Sequence, residues 1–188
     1  MTERALRFLR VEDDQLLRSV LDVRFSVDRE AKRRTGRVED PHDFSANVVH
    51  VAALLRRQVV GGLRGHICRG PDAISPTAEI FEEEVEWLLH CVSAMDHSRL
   101  FCAQLDRELS RKVRLGLVVH ALACGRERGL DAVIAAVRSG SISPYRQELG
   151  FRPIAKRRSL RFPRDRPQVL MFGSTARCAE LSHLSALG

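Results

Sequence analysis

The order of apolar and polar positions divides the chain into short alternating runs and longer amphipathic ones. "ALRFLRV" (Ala5 to Val11) alternates with period two, the pattern of a half-buried strand. Asp13 and Asp14 are suited to cap a helix, and behind them Leu16, Leu17, Val20, Leu21 and Arg24 recur at helical spacing. They predict a helix from Asp14 to about Glu30. The polar stretch that follows, with Gly36 and Pro41, reads as a loop. Val48 to Leu55 and Val59 to Ile67, joined through "RRQ", are nearly continuous in apolar residues. They predict a hairpin of central strands covered on both faces. Gly61 and Gly62 inside the second strand point to a bulge or a close backbone approach.

Thr77 to Met95 reads as a helix with Ile80, Val85, Leu88 and Leu89 toward the core, and Arg99 to Leu105 as a strand. A helix is expected from about Ser110 to Arg128. Val113, Leu117, Val118, Ala121 and Leu122 form its apolar face and Gly129 closes it. Asp131 to Val137 reads as a buried strand. Ser143, Pro144 and Gly150 frame a short helix as N-cap, first residue and terminator. "FRPI" and "QVLMFG" predict a last hairpin across the basic run "AKRRSLRFPRDRP", and Ser174 to Leu187 a terminal helix. The strand–helix–strand crossover from Arg99 to Val137 calls for a parallel pair among antiparallel neighbours. The expected fold is therefore α/β (α+β): a single mixed, twisted β-sheet with helices on both faces. Residues 1–173 form the domain and residues 174–188 a C-terminal helix or tail.

Composition narrows the function classes. A chain of 188 residues, 44% hydrophobic and 29% charged, has the makings of one globular core. No apolar run reaches the length of a membrane span and the N-terminus lacks a signal-peptide core, so a cytoplasmic protein is expected. Cys68, Cys91, Cys102, Cys124 and Cys178 form no metal-binding spacing and read as reduced thiols, mostly buried; no metal site is expected. A net charge of +7 favours an anionic partner. Aromatics make up only 5%, which leaves few stacking platforms and makes nucleic acid an unlikely ligand. Tyr145, the only tyrosine, lies in "SPYRQELGFRP", where packing gives no reason for a phenol.

The helix, glycine turn, buried strand and Tyr-x-x-x-x-Gly-Phe ending in "GRERGLDAVIAAV…YRQELGFRPI" resemble the C-terminal half of the GCN5-related N-acyltransferases. "VEDPHDFSANVVHVAALLRRQVVGGLRG" is similar to the acyl-homoserine lactone synthases and the long-chain N-acyl amino acid synthases. Their upstream Arg, Asp-x-x-Asp pair and Gly-x-x-Arg-type strand end fall on Arg24, Asp40, Asp43 and Arg64. Two features depart from the pattern. The phosphate-binding turn is matched by "RKVRLG", with Arg114 in place of the first glycine, and the Glu-x-x-Arg strand of the lactone synthases is matched in letters by "ELSR" (Glu108 to Arg111). The two segments overlap. The turn register is preferred, because "RLFCAQL" makes the better preceding strand.

The resemblance implies an N-acyltransferase that moves an acyl group from a thioester to the amine of an amino acid or related small molecule. No cofactor is permanently bound; acyl-CoA or an acyl-phosphopantetheine on an acyl-carrier protein is the donor substrate. Tyr145 falls at the position of a general acid for the leaving thiolate. Arg111, Lys112, Arg114, Leu115 and Gly116 fall at the donor-binding turn, where helix N–H groups would hold phosphate. Arg24, Asp40, Asp43 and Arg64 fall over the acceptor. The aspartates either bind its ammonium or cap their own loop, and the arginines either bind its carboxylate or pair with the aspartates. Asp106, Glu108, His97 and His120 are candidate bases, none preferred. Two other functions compete: an acetyl-CoA-dependent acetyltransferase on a small amine or protein lysine, and a catalytically silent binding module of the same fold.

Overall fold

The computed structural model describes residues 6–32, 40–157 and 167–176. Seven strands form one sheet in the order β1-β2-β3-β4-β5-β7-β6. They are β1 (Leu6–Arg10), β2 (Val48–Leu55), β3 (Gln58–Cys68), β4 (Ala94–Cys102), β5 (Ala132–Arg138), β6 (Arg152–Arg157) and β7 (Gln168–Ser174). The helices are α1 (Asp14–Lys32), α2 (Glu82–Cys91), α3 (Arg107–Glu127) and α4 (Ile142–Leu149), with a 3-10 turn at Pro41–Phe44. β4 and β5 run parallel; β1–β2, β5–β7 and β6–β7 are antiparallel. The mixed α/β sheet expected from the hydrophobic pattern is the one observed. Two compact units are distinguished: Met1–Gly65 with Arg99–Ala121, and His66–Ser98 with Leu122–Gly188.

In the first unit, Asp13 accepts the N–H of Leu16 at 2.7 Å and starts α1. Val20 of α1 packs on Ala52 and Phe101, with Leu9, Val23 and Leu54 around them. The two strand glycines are explained by packing. A Cβ on Gly61 would lie 2.7 Å from Val113 and 2.9 Å from the Phe101 carbonyl; one on Gly62 would press on the Phe101 ring and Val20. Successive strand residues point to opposite faces, so α3 and α1 cover the two sides of β3. The β2–β3 turn has only two residues, Arg56 (φ 52) and Arg57 (φ 69), the primed geometry that matches strand twist.

In the second unit, Phe81, Val85, Leu88 and Leu89 of the α2 region pack on Cys68, Ala94, Ala132, Ile134 and Leu170, all buried. Complete burial of an aromatic such as Phe81 contributes about 1.5–3 kcal/mol. β4 pairs with β5 only from Ala94↔Ala132 to Asp96↔Ile134. Beyond that point Thr77 occupies the ladder: its hydroxyl accepts the Ala136 N–H at 3.2 Å and donates to Asp96 at 2.5 Å, while its N–H donates to Asp96 at 2.9 Å.

That network corrects two expected boundaries. The helix expected from Thr77 begins only at Glu82, because Thr77 serves Asp96 and β5 instead. The strand expected at Arg99 begins at Ala94, its polar Asp96 and His97 being buried. α3 starts at Arg107, three residues before the expected Ser110. Asp106 makes that start, accepting Leu109 N–H on its carboxylate and Ser110 N–H on its carbonyl, both at 2.9 Å. Ser143 lies inside α4, which Ser141 precedes, and does not cap it. The terminal helix and the tail at 174–188 lie outside the described residues beyond Ala176, as do Cys178 and most of the basic run before β7. No described helix is long and apolar enough to cross a membrane.

Candidate active site

Asp40, Asp43, Arg24 and Arg64 come from three separate stretches of chain and meet in one buried network. Asp40 caps the 3-10 turn by accepting the His42 N–H at 3.1 Å, and the turn carries Asp43 inward. Arg24 from α1 clasps Asp43 with both terminal nitrogens, at 2.6 and 2.5 Å. Arg64 from β3, only 2% exposed, reaches Asp43 at 2.7 Å and Asp40 at 3.0 Å. His50 of β2 donates from Nε2 to the Asp43 carbonyl at 2.9 Å. A carbonyl only accepts, so the Nε2 proton is fixed.

Burial alone would raise both aspartates. The paired arginines outweigh it: Arg64 and Arg99 hold Asp40 at about 2, and Arg24 and Arg64 hold Asp43 below the usual carboxylate range. Arg24 is raised by Asp43 against the opposing effect of its burial. His50 is lowered by its burial, helped by the two arginines and opposed by the hydrogen bond and charge of Asp43. Every carboxylate oxygen in the network already accepts a hydrogen bond from the protein.

The fifth member, Arg99, was missed in the sequence. It donates to Asp40 from Nε at 2.9 Å and Nη2 at 2.8 Å, and sits on β4 in a left-handed conformation, φ 51. The signal was an acid and an arginine three residues apart on a strand. Asp96 and Arg99 have that spacing on β4, whereas Glu108 and Arg111, which match it in letters only, lie on α3.

The donor turn also needs correction. Arg111 to Gly116 lie beyond the first turn of α3, where N–H groups bond the carbonyls four residues back. They present no free N–H groups to a phosphate, because the helix begins at Arg107. Arg111, Lys112 and Arg114 are exposed, and Lys112 pairs with Glu108 at 2.7 Å. Leu115 is half-buried. Gly116 is a packing residue, since a Cβ there would overlap the Phe8 ring of β1.

Tyr145 lies on α4. The helix ends at Gly150 (φ 67), and the N–H of Phe151 returns to the Tyr145 carbonyl at 3.0 Å. The Tyr145 and Phe151 rings meet edge to face, 5.5 Å apart. The Tyr-x-x-x-x-Gly-Phe ending is thus also a helix-closing device. Burial pushes the phenol up to about 12, which keeps it protonated at neutral pH.

The candidate bases do not gather. Asp106 caps α3, Glu108 holds Lys112, and His120 lies farther along α3. His97 is buried, with neither ring nitrogen hydrogen-bonded among the described residues, and burial lowers it to about 3.

A sequence profile of the N-acyl amino acid synthase FeeM matches residues 25–173, most of the chain. The chain belongs to the N-acyl amino acid synthase FeeM family. The family's reaction class, acyl transfer to an amine, makes the protein an N-acyltransferase. No curated protein matches it in sequence. Solved structures share the fold at low identity. The FeeM structure, an N-acyl amino acid synthase from uncultured soil microbes, has a TM-score of 0.76 at 10% identity, covering 98% of this chain and 97% of that one. The CoA-dependent acyl-homoserine lactone synthase BjaI, with MTA bound, gives 0.69 at 17% identity, over 96% and 89%. An acyl-CoA N-acyltransferase from Pseudomonas aeruginosa gives 0.62 at 18%, over 89% and 99%.

Proposed function

We propose that the protein forms N-acyl amino acids or closely related amides, taking the acyl group from a thioester. The carrying observation is the convergence of Arg24, Asp40, Asp43 and Arg64, residues the family pattern singles out, into one network. In the reaction a neutral amine attacks the thioester carbonyl, the C–N bond forms and the C–S bond breaks. The amine releases a proton and the departing thiolate takes one. Tyr145 is the proposed proton donor to the thiolate; its buried phenol is protonated across the physiological range.

Within this reading the two aspartates organise the arginines and do not grip the acceptor's ammonium. Their oxygens are occupied, and Asp43 and Arg64 are sealed from solvent. The donor is an acyl-carrier protein or acyl-CoA. The exposed side chains of Arg111 and Arg114 supply positive charge for either, through the side chains alone. Both donors are cytoplasmic metabolites, so the reading places the enzyme in that compartment.

The test is thioester release with acetyl, octanoyl and palmitoyl groups on CoA and on carrier protein, with mass spectrometry of the amide formed. N-acyl amino acids from the longer donors support the reading. Acetylation alone would replace it with an ordinary acetyltransferase, and no thioester release with any donor would reject it.

A further inference from the structure

His97 is buried on β4, only 4% exposed, and neither of its ring nitrogens meets a hydrogen-bond partner among the described residues. A buried polar group left unpaired is costly, so native structures keep one chiefly where a ligand or the chemistry uses it. Its place in the second unit points to that use. β4 pairs with β5 only as far as Asp96↔Ile134, and the N–H of Ala136, farther along β5, is taken by the Thr77 hydroxyl. The ladder between the two strands is therefore open from His97 onward.

Alternation along β4 fixes the face on which the ring lies. Ala94 packs with Phe81 and Val85 of the α2 region, and Asp96 is held by Thr77 just before that region. Met95 points the other way, toward α3: a Cβ on Gly125 would lie 3.7 Å from the end of its side chain. His97, two residues on, shares the face of Met95. α4 lies on that face as well. β5 and β6 both run antiparallel to β7, so they run parallel to each other. The right-handed crossovers β4–α3–β5 and β5–α4–β6 advance the same way across the sheet, which sets α3 and α4 on one side of it. His97 thus shares its face with the helix that carries Tyr145.

Acyl transfer from a thioester calls for two hydrogen-bond donors: one for the oxygen that turns negative when the amine adds, one for the sulfur that leaves. Tyr145 is the proposed donor to sulfur. We propose that His97 donates a hydrogen bond to the thioester carbonyl oxygen and stabilises the oxyanion of the tetrahedral intermediate. The amine's lone pair forms the C–N bond, and the carbonyl π pair moves onto the oxygen that faces His97. When that pair returns, the C–S bond breaks and the sulfur takes the Tyr145 proton. The amine's surplus proton passes to water, which restores the phenol; His97 keeps its proton throughout. Burial holds the ring neutral, and either neutral tautomer carries one N–H. In that low-dielectric setting an N–H stabilises a developing charge more than it would in water. The proposal rests on the acyl-transfer reading and adds to it the group that answers the negative charge.

The full-length enzyme is assayed with octanoyl and palmitoyl thioesters of CoA and of carrier protein. Loss of one oxyanion donor costs roughly 100- to 1,000-fold in kcat, so His97→Leu should lose about 100-fold while the donor KM stays within about threefold. His97→Asn and His97→Gln keep an N–H but cannot act as a base, and the better of the two should regain about tenfold on the same principle. An octanoyl thioester labelled with carbon-13 at the carbonyl, bound to the wild type without acceptor, should show its carbonyl stretch below the solution frequency. An unshifted stretch in the wild-type complex overturns the inference; this arm needs no variant to fold. A folded His97→Leu that keeps its kcat or the carbonyl shift overturns it too. Amide variants no faster than the leucine variant do the same, because they leave the ring as a base or a packing group. Each of these results, with thioester release by the wild type, leaves the acyl-transfer reading standing. No release with any donor rejects the reading beneath it.

Discussion

Thr77 holds Asp96 by two hydrogen bonds, one from its backbone N–H at 2.9 Å and one from its hydroxyl at 2.5 Å. The same hydroxyl accepts the Ala136 N–H where β5 stops pairing with β4. One residue thus serves both a fully buried carboxylate and a strand N–H that has no β4 partner. Thr77→Val keeps the shape and removes the hydroxyl. A buried group left without its partner costs about 1–3 kcal/mol, more when it is charged. We expect Thr77→Val to lose roughly 2–4 kcal/mol in denaturant unfolding on that basis, and Thr77→Ser to recover most of it. Equal stabilities of the valine and serine variants would show the hydroxyl to be dispensable.

Acid should destabilise the protein in two stages. His97 is buried and held neutral to about 3, far below its unfolded value near ~6.5. The unfolded chain therefore binds a proton between those values that the folded chain does not. Stability falls as pH drops through that window, by up to about 1.4 kcal/mol per pH unit for one group. Asp40 is depressed to about 2, so its contribution is complete above its unfolded value near ~3.9 and is lost as pH falls toward 2. His97→Leu should flatten the first stage and leave the second. Thermal melts from pH 7 to pH 2.5 measure both, and an unchanged slope between pH 4 and 6 in His97→Leu would assign the first stage to another group.

Gly116 separates packing from donor binding. A methyl group there must displace the Phe8 ring. Overpacking costs about 1–3 kcal/mol, so Gly116→Ala should lower stability by that amount with little change in donor KM. The double variant Gly116→Ala/Phe8→Leu should fall short of the sum of its single losses, as contacting pairs do. A stable Gly116→Ala with a strongly raised donor KM would return the residue to the donor site.

Tyr145→Phe removes only the hydroxyl and keeps the ring on Phe151. If the phenol protonates the thiolate, kcat drops while donor KM hardly moves. Thiolates leave well unaided, so about tenfold is expected, below the usual range for general acids. Unaltered turnover on a good acceptor would leave Tyr145 with its helix-closing role alone.

The parts of the fold legible in the sequence are those where apolar periodicity and local chemistry agree. The β2–β3 hairpin, α1 and β5 follow from runs such as "VVHVAALL", and their bounds shift by no more than a residue or two. The signal failed where a polar residue is buried with a distant partner. Asp96 looks like a surface residue because Thr77, nineteen positions away, is what satisfies it, and β4 was therefore expected too late. Arg99 was hidden by the same error. α3 starts before the expected Ser110 because Asp106 caps it, a local signal that the sequence carries. Arg24, Asp40, Asp43 and Arg64 were legible through family resemblance. Their spacing says nothing of the ion pairs that join them.

The hairpin turn at Arg56 and Arg57 has a consequence for engineering. Both residues occupy a conformation that costs a side-chain-bearing residue about 1–2 kcal/mol and that Asn-Gly adopts with ease. Both are exposed, and neither belongs to the Arg24–Asp43 network. Thermal tolerance should therefore be adjustable here without altering the chemistry: Arg56→Asn/Arg57→Gly relieves about 1–2 kcal/mol and should raise the melting temperature by a few degrees. Differential scanning calorimetry beside an activity assay measures both effects. The turn gives a designer a margin of robustness to draw on before making costly changes among the buried arginines.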